Sequence, residues 1–236
     1  MPARKPLIGV TSSELFAFGP KPPNRVAVAR PYLEAVEQAG GVPMMLSPTT
    51  PLNDLVGLLD GLLIPGGPDV QPALYGEDEH QANSTVDPQL EEFELGILHA
   101  ARSAGLPTLA VCRGMQLLWV SHGGRLIQHL PDTDSPIAHS VGQHPDPRHE
   151  VLLSSGSRLA AIAGGEQTLQ VNSFHHQACR GRVSGLTVTA YAPDGIIEAV
   201  EDPRHPFLIG VQWHPETMLH QSEQRALFDA LIDAAR

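Results

Sequence analysis

One stretch of the chain, residues 108–118, combines a cysteine with a pattern suited to nucleophilic chemistry. It reads TLAVCRGMQLL: a short apolar strand, then Cys112, then Gly114 at the start of an apolar-periodic helix. A nucleophile on such a sharp turn is exposed above a sheet, and the N–H of the next residue, Arg113, is left to stabilise an oxyanion. The positive end of the following helix favours a thiolate. On this turn alone, a small buried hydrophobic cysteine is an equally good interpretation.

A second stretch, residues 210–216, reads GVQWHPE and places a histidine at the end of a predicted strand. Glu216 lies two residues beyond His214. A catalytic imidazole needs an acceptor on one ring nitrogen to fix its tautomer, which leaves the other nitrogen for the nucleophile. Glu216 can supply that acceptor if the turn folds its carboxylate back. On spacing alone, a surface histidine beside a surface glutamate is the simpler interpretation.

A third stretch, residues 65–70, reads PGGPDV and follows an apolar strand. The amides of Gly66 and Gly67 can point at a ligand beyond the carboxyl edge of a sheet, where open α/β sheets bind substrates. The stretch matches neither the dinucleotide fingerprint nor a P-loop, because the further glycines and the Lys-Ser/Thr pair are missing. Locally, a tight turn is the simpler interpretation.

Hydrophobic periodicity predicts the elements that must position these residues. The first half alternates strands with amphipathic helices, which is typical of a mostly parallel central sheet flanked by helices on both faces. The second half has short strand-like runs that we expect to extend the same sheet with antiparallel strands. We therefore predict one α/β domain over residues 1–236. The predicted strands are 6–11, 42–46, 60–64, 108–111, 150–153, 168–171, 186–191, 196–201 and 207–212, and the predicted helices are 26–38, 52–59, 87–104, 114–121 and 222–235.

Composition excludes several classes of function. The formal net charge is −11 and the chain has only 15 basic residues, whereas nucleic-acid and anionic-membrane binders need clustered Lys and Arg. No signal peptide and no apolar stretch long enough to span a bilayer is evident. Cys112 and Cys179 could pair, but two cysteines in a chain of this size are more typical of a reducing cytoplasm. We therefore expect a cytoplasmic protein.

Five blocks in order resemble the class I glutamine amidotransferase family, and most of all its stand-alone branch, typified by gamma-glutamyl-gamma-aminobutyrate hydrolase. The resemblance extends over nearly the whole chain. It implies a flavodoxin-like glutamine amidotransferase fold. The blocks are LIPGGPDV at 63–70, CRGMQ at 112–116, VNSFHHQ at 171–177, DG at 194–195 and QWHPE at 212–216.

The resemblance also implies a role for each matching residue. Cys112 would be the nucleophile, His214 its general base and acid, and Glu216 the carboxylate that orients the imidazole. The amides of Gly67 and Arg113 would form the oxyanion hole. The residues implied to bind the gamma-glutamyl group of the substrate are Gly66, Gln116, Asn172, Ser173, Phe174 and His175.

These roles predict cysteine-dependent hydrolysis of a gamma-glutamyl amide through a gamma-glutamyl thioester. We expect no metal and no organic cofactor. Although the chain has 12 histidines, His139, His144 and His149 lie in or beside a polar loop with no tight ligand spacing. His175 and His176 are interpreted as residues of the substrate site or of the packing.

Three positions depart from the family pattern. Ala110 stands where a glycine is usual, and its methyl group slightly crowds the turn from strand to helix that carries Cys112. Trp119 replaces a smaller or polar residue and faces either the core or the wall of the pocket. Leu90 and Glu91 stand where Arg-Asp is common, and the lost positive charge bears on the contacts with a substrate carboxylate if that position touches substrate.

Two other functions stay open. One is a glutaminase subunit that passes ammonia to a separate synthetase, and the other is a non-catalytic binding or sensor protein on the same scaffold. We expect a small gamma-glutamyl substrate, no nucleic-acid or membrane partner, and a homodimer as the default assembly. The amine side of the substrate is not specified by the sequence.

Overall fold

The computed structural model describes residues 4–16, 25–84, 87–140 and 147–236. The central feature is a nine-stranded mixed sheet with the strand order β4-β1-β5-β6-β13-β12-β11-β8-β9. Two small two-stranded sheets, β2-β3 and β7-β10, lie beside it. The strands are β1 Leu7–Thr11, β2 Glu14–Phe16, β3 Arg25–Ala27, β4 Val42–Leu46, β5 Gly61–Ile64, β6 Thr108–Val111, β7 Arg125–Ile127, β8 Arg148–Leu153, β9 Thr168–Asn172, β10 Ala178–Arg180, β11 Thr187–Tyr191, β12 Ile197–Glu201 and β13 Leu208–Val211.

Helices separate most of the parallel strands along the chain. They are α1 Arg30–Gln38, α2 Leu52–Val56, α3 Pro88–Ala104, α4 Arg113–Ser121, α5 Arg158–Ile162 and α6 Ser222–Ala234. No helix in the described part of the chain is long and apolar enough to cross a membrane.

Strands β4, β1, β5, β6 and β13 are parallel, so their carboxyl ends meet at one edge of the sheet. The three stretches singled out in the sequence follow β5, β6 and β13. Val211 of β13 is paired with Val111 of β6, and the N–H of Cys112 donates to the Val211 carbonyl at 2.7 Å. This register brings the cysteine and histidine turns side by side.

Side-chain alternation along the central strands divides the core into two layers. On β6, Leu109 and Val111 face a layer covered by α1, α5 and α6, whereas Ala110 faces a layer covered by α2, α3 and α4. Strands buried on both faces are typical of a parallel sheet between helices. The predicted α/β class, with helices on both faces, is confirmed.

The antiparallel extension predicted for the second half is also confirmed. Strands β12, β11, β8 and β9 each pair antiparallel with their neighbours, and β12 joins this half to β13. On β8, exposed and buried side chains alternate from Arg148 to Leu153. This pattern is typical of a strand with one face in the core and one face exposed to solvent. Asn172, one of the predicted site residues, is the last residue of β9 in this added half of the sheet.

The main difference from the predicted elements lies before α1. Residues 26–38 were predicted as one helix, but Val26 belongs to β3, which pairs with β2, and the helix begins at Arg30. Pro31 lies in the first turn, where its missing N–H costs nothing and its fixed φ suits a helix start. The four short strands of the two small sheets and α5 were not predicted, because three to five residues give too little periodicity.

Candidate active site

The turn between β6 and α4 holds Cys112 in a strained conformation. Its φ is +51° and its ψ is −107°, and it is the only non-glycine residue with positive φ among those described. Such conformations are costly and are found mostly at functional sites. The next turn of backbone passes so close to β5 that a Cβ on Gly114 would lie 2.4 Å from the carbonyl oxygen of Ile64. Glycine at this position therefore allows the sharp turn.

His214 lies just beyond β13 and meets both Cys112 and Glu216. Its Nδ1 is 2.7 Å from Oε1 of Glu216, and its Cε1 and the Cβ of Cys112 both pack against Gly66, 2.7 and 3.4 Å from where a Cβ would lie on that glycine. Burial by itself lowers the pKa of His214. The negative charge of Cys112, with hydrogen bonds to Cys112 and Glu216, outweighs burial and raises the pKa of His214 well above its usual range. The raised pKa therefore favours the imidazolium form of His214.

Tyr32 of α1 is a member of this cluster that the sequence did not reveal. Its hydroxyl accepts the N–H of Gly66 at 2.9 Å and lies 3.2 Å from Nδ1 of His214. Burial, with the charges of Glu216 and Cys112, raises the pKa of Tyr32 well above its usual range, so the phenol is neutral. In the sequence it looks like any aromatic residue on the buried face of a helix.

Gly67 and Arg113 both line the cavity beside Cys112. Gly67 follows β5 and Arg113 is the first residue of α4, and neither amide donates a backbone hydrogen bond within the described ranges. The Gly66-Gly67 loop is tightly packed, because a Cβ on Gly66 would lie 2.7 Å from Cε1 of His214. Glycine here lets the loop approach the catalytic cluster, and two free donors are what an oxyanion hole requires.

The Arg113 side chain points away from the cavity centre into an acidic pocket. Its guanidinium forms a buried ion pair with Glu94 and lies 3.7 Å from Glu91. Oε1 of Glu94 also accepts the Thr11 hydroxyl at 2.8 Å. Burial raises the pKa of Glu91, although a hydrogen bond from the Gln71 N–H and the charge of Arg113 oppose it. Glu91 therefore lies beside the guanidinium of Arg113 and does not line the cavity.

The other two family departures are also located in the core. Trp119 is 1% exposed and packs in the layer covered by α2, α3 and α4, where its Nε1 donates to the Arg180 carbonyl at 3.2 Å. Ala110 is fully buried in the same layer, and Leu90 is 1% exposed. Trp119 therefore faces the core and not the wall of the cavity.

Asn172 at the end of β9 fixes the backbone of the histidine turn. Its Oδ1 accepts the His214 N–H at 2.8 Å, and its Nδ2 donates to the His214 carbonyl at 3.0 Å and to the Thr217 hydroxyl at 2.7 Å. All of its side-chain polar atoms are thus used within the protein. Asn172 does not line the cavity, and its predicted contact with substrate stays a prediction.

A cavity of about 260 Å³ opens beside Cys112. Gln116 lies at its base, where Nε2 donates to the Gln177 carbonyl at 3.1 Å and to Gln212 at 3.2 Å. Phe174 is 42% exposed and its ring centre lies 5.8 Å from that of His214. The lining residues are Gly67, Pro68, Asp69, Ala82, Ser84, Cys112, Arg113, Gln116, Phe174, His175, His176 and Gln177.

Asp69 is the one carboxylate in that lining. It accepts hydrogen bonds from Ser84 and lies 2.9 Å from Nε2 of His176. Burial alone raises its pKa, but these hydrogen bonds and the charge of His176 hold the pKa of Asp69 below its usual value. The cavity wall therefore carries a negative charge near its polar lining.

The predicted site residues are not all directed at the cavity. Ser173 is fully buried, with its Oγ 3.1 Å from Nδ1 of His139 and 3.1 Å from Nε2 of His175. His175 lines the cavity, but Nδ1 is 2.9 Å from the Gln177 carbonyl and Nε2 faces the interior. His144 lies outside the described residues. Cys112 and Cys179 are both free thiols.

The family model for Peptidase C26 matches residues 6–216. The chain belongs to this family. Its members resemble class I glutamine amidotransferases, as the five sequence blocks predicted, and the family supports a hydrolase of the glutamine-amidotransferase type.

Three relatives indicate the range of names in the family. A protein of Mycobacterium tuberculosis, provisionally named a glutamine amidotransferase, is 40% identical over 208 residues, which cover 86% of this chain and 66% of that protein. The alignment thus spans just under two thirds of that relative. Gamma-glutamyl-gamma-aminobutyrate hydrolase of Escherichia coli K12 is 36% identical over 87% of this chain and 85% of its own length. Protein NtpR of Enterococcus hirae is 35% identical, and the alignment covers 96% of this chain and 98% of that protein.

A solved structure confirms the fold at low sequence identity. The glutaminase domain of a Trypanosoma brucei protein titled CTPS, solved with bound acivicin, has a TM-score of 0.65 at 16% identity and covers 97% of this chain and 93% of that one. At this identity the likeness concerns the fold alone. The glutamine-amidotransferase-like fold predicted from the sequence is confirmed.

Proposed function

We propose that this protein is a cysteine-dependent hydrolase that cleaves the gamma-glutamyl amide bond of a small gamma-glutamyl amine and releases glutamate and the amine. The observation that carries the proposal is the strained Cys112 beside a His214 that Glu216 holds through Nδ1. A thiolate and a positioned imidazole are the groups that cleavage of an unreactive amide requires.

In the first step the Cys112 thiolate attacks the gamma-carbonyl carbon of the substrate. A carbon–sulfur bond forms and the carbonyl oxygen becomes an oxyanion, which the N–H groups of Gly67 and Arg113 are placed to stabilise. Removing one such donor from a comparable site typically costs about 10²–10³ in kcat. Collapse of this intermediate breaks the carbon–nitrogen bond as His214 donates its proton to the departing amine.

In the second step water hydrolyses the gamma-glutamyl thioester. His214, now neutral, takes a proton from water, and the resulting hydroxide attacks the thioester carbon. The carbon–sulfur bond breaks, glutamate leaves, and the Cys112 thiolate and the His214 imidazolium are restored. Every proton in the cycle passes through His214, which explains why Glu216 and Tyr32 are packed against that ring.

The size and lining of the cavity suit a small polar substrate. Its volume of about 260 Å³ is below the range of about 300–1,000 Å³ typical of sites for drug-sized ligands. The Gln116 side-chain oxygen and the negatively charged Asp69 offer acceptors for the amino group of a glutamyl group or for a cationic amine. The stand-alone E. coli relative with the name gamma-glutamyl-gamma-aminobutyrate hydrolase supports the same substrate class.

Trapping of the acyl-enzyme tests the proposal. A chromogenic gamma-glutamyl anilide is mixed with the protein, the reaction is quenched in acid within one turnover, and peptides are analysed by mass spectrometry. The proposal predicts a gamma-glutamyl group on the peptide that contains Cys112 and an unmodified peptide that contains Cys179. Turnover with no acylated Cys112 under any quench time would contradict it.

A further inference from the structure

Behind the cavity wall, three histidines converge on one buried glutamate. His149 Nε2, His139 Nδ1 and His175 Nε2 lie 3.5, 3.6 and 3.6 Å from the same oxygen, Oε1 of Glu198. The four atoms all lie within 4.8 Å of one another. Glu198 is on β12 and fully buried, and the three histidine side chains are at most 4% exposed.

The outer nitrogen of each ring fixes the tautomer. The His139 Nε2 is 2.8 Å from the Asp194 carboxylate, the His149 Nδ1 is 3.1 Å from the Glu150 carbonyl, and the His175 Nδ1 is 2.9 Å from the Gln177 carbonyl. A carbonyl or carboxylate oxygen can only accept, so each of these nitrogens carries the proton. In a neutral imidazole the inner nitrogen then presents a lone pair to Glu198.

All three rings are in environments that keep them neutral. Burial is the main cause that lowers the pKa of His139, of His149 and of His175, in the last case to about 4. Burial raises the pKa of Glu198 to about 7, so whenever this carboxyl group is ionised the ring nitrogens and the carboxylate are all hydrogen-bond acceptors.

The part of the chain that the structure describes offers few donors to this cluster. Among those residues, both carboxylate oxygens of Glu198 and the Nε2 of His149 have no hydrogen-bond partner. Within the described ranges the Ser173 hydroxyl contacts two of the rings, but its single proton can serve one of them. A fully buried carboxylate without a donor is costly unless a cation or a bound proton compensates it.

We propose that His139, His149, His175 and Glu198 bind one divalent transition-metal ion, with zinc the ion that suits them best. Four ligands about 2.0–2.1 Å from a tetrahedral zinc are about 3.3–3.4 Å apart, which is close to the three observed contacts with Glu198 Oε1. Neutral imidazoles with the outer N–H bonded to an oxygen acceptor are what zinc-binding histidines require. One carboxylate ligand and the nearby Asp194 balance the two positive charges.

The site would be structural rather than catalytic, because four protein ligands leave no position for water. The ion would connect β8, β12 and the segment that follows β9. That segment contains Phe174 and His175, which line the cavity. The proposal does not rest on the proposed hydrolysis, which routes every step through Cys112 and His214. It replaces the sequence-based expectation of no metal, because the four ligands are spread over 60 positions of the chain with no local motif.

Metal content of the wild-type protein is the first test. Protein without a polyhistidine tag is produced in zinc-supplemented medium, dialysed against metal-free buffer and analysed by mass spectrometry of the elements. We expect about one zinc per chain, as a closed four-ligand site requires. A strong chelator should remove the metal and lower the unfolding temperature, and added zinc should restore both. Trace metal with an unfolding temperature that zinc does not change would overturn the proposal, and would mean that a bound proton compensates Glu198.

Variants assign the ion to the cluster. Glu198→Gln and His149→Gln should lose the bound zinc, whereas His205→Gln, a change at a buried histidine outside the cluster, should keep it. Full zinc retention by both cluster variants would contradict the assignment.

Cobalt substitution separates this site from the catalytic cysteine without relying on those variants. Cobalt bound by three imidazoles and a carboxylate should give a visible absorption band and no sulfur-to-cobalt charge-transfer band, and Cys112→Ala should leave the spectrum unchanged. A charge-transfer band that Cys112→Ala abolishes would locate the ion at the catalytic site and overturn the proposal.

Discussion

At the scale of single residues, the proposed chemistry depends on the proton of His214. The pKa of its ring is raised because Cys112 and Glu216 place negative charge beside it, despite the burial that opposes this. A raised pKa in the folded state stabilises the protein below the unfolded value of about 6.5, and this stabilisation is lost as pH rises through the folded pKa. The imidazolium is therefore present across neutral pH.

Replacing Glu216 should lower the pKa of that proton. In Glu216→Gln one negative charge is removed from Nδ1, so His214 loses its proton at lower pH and the alkaline limb of kcat/KM moves to lower pH. We expect kcat/KM at neutral pH to fall by roughly 10²- to 10⁴-fold, the range for a disturbed acid–base group. The pH profile of kcat/KM for both proteins measures the effect. An unshifted alkaline limb would argue against His214 as the acid.

We expect Tyr32 to be a positioning residue, because its hydroxyl contacts the Gly66 N–H and Nδ1 of His214. In Tyr32→Phe a hydrogen bond is lost while the ring packing stays. We expect kcat to fall by roughly 3- to 10-fold, equivalent to one hydrogen bond, with KM little changed.

Tyr75→Phe is the matched control, because the buried Tyr75 hydroxyl has no hydrogen-bond partner among the described residues and Tyr75 does not line the cavity. Its steady-state constants should equal those of the wild type. A Tyr32→Phe enzyme with unchanged kcat would show that the hydroxyl does not position the catalytic cluster.

At the scale of elements, the elbow between β6 and α4 depends on a close approach to β5. Gly114→Ala places a methyl group 2.4 Å from the Ile64 carbonyl oxygen, so backbone must move. We expect a loss of at least about 1–3 kcal/mol in the free energy of unfolding, the usual cost of overpacking. Gly57→Ala is the control, since nothing lies within 4 Å of its added Cβ, and it should change that free energy by under about 1 kcal/mol. Equal denaturant midpoints for the two variants would contradict this account of the elbow.

The connection between β9 and the histidine turn gives another test at this scale. Asn172→Ala removes three hydrogen bonds that fix the backbone around His214. We expect kcat to fall with a smaller change in KM, because the acid–base group is displaced rather than the substrate contacts. Gln170→Ala, a change at an exposed residue of the same strand, is the control for steady-state kinetics. If Asn172→Ala raises KM alone, the predicted contact of Asn172 with substrate is the better explanation.

The elements and the site were predictable from the sequence to different degrees. The strands around Cys112 and His214 were predictable because they are apolar runs that end in turn residues. The cysteine turn was predictable because Gly114 follows the nucleophile, and the strained φ bears this out. The contributions of Tyr32 and Glu198 were not, because each looks like an ordinary residue of its helix or strand until the fold brings distant segments together.

At the scale of the whole molecule, the mixed sheet explains how one chain completes its site. The parallel half supplies Cys112, His214 and the Gly66-Gly67 loop at one sheet edge, and the antiparallel half supplies Asn172 and the wall with Phe174 and His175. The proposed metal cluster lies in the antiparallel half. Loss of that metal should therefore loosen the cavity wall while leaving the elbow of Cys112 in place.

The most direct test of the account is amine release from a panel of gamma-glutamyl amides, glutamine included, with the purified protein alone and Cys112→Ala beside it. The account predicts turnover of at least one amide well above glutamine, and no turnover by the variant. No release from any amide until a synthetase is added would favour a glutaminase subunit, and no release under any condition would favour a binding protein. Full activity of Cys112→Ala would contradict the central claim.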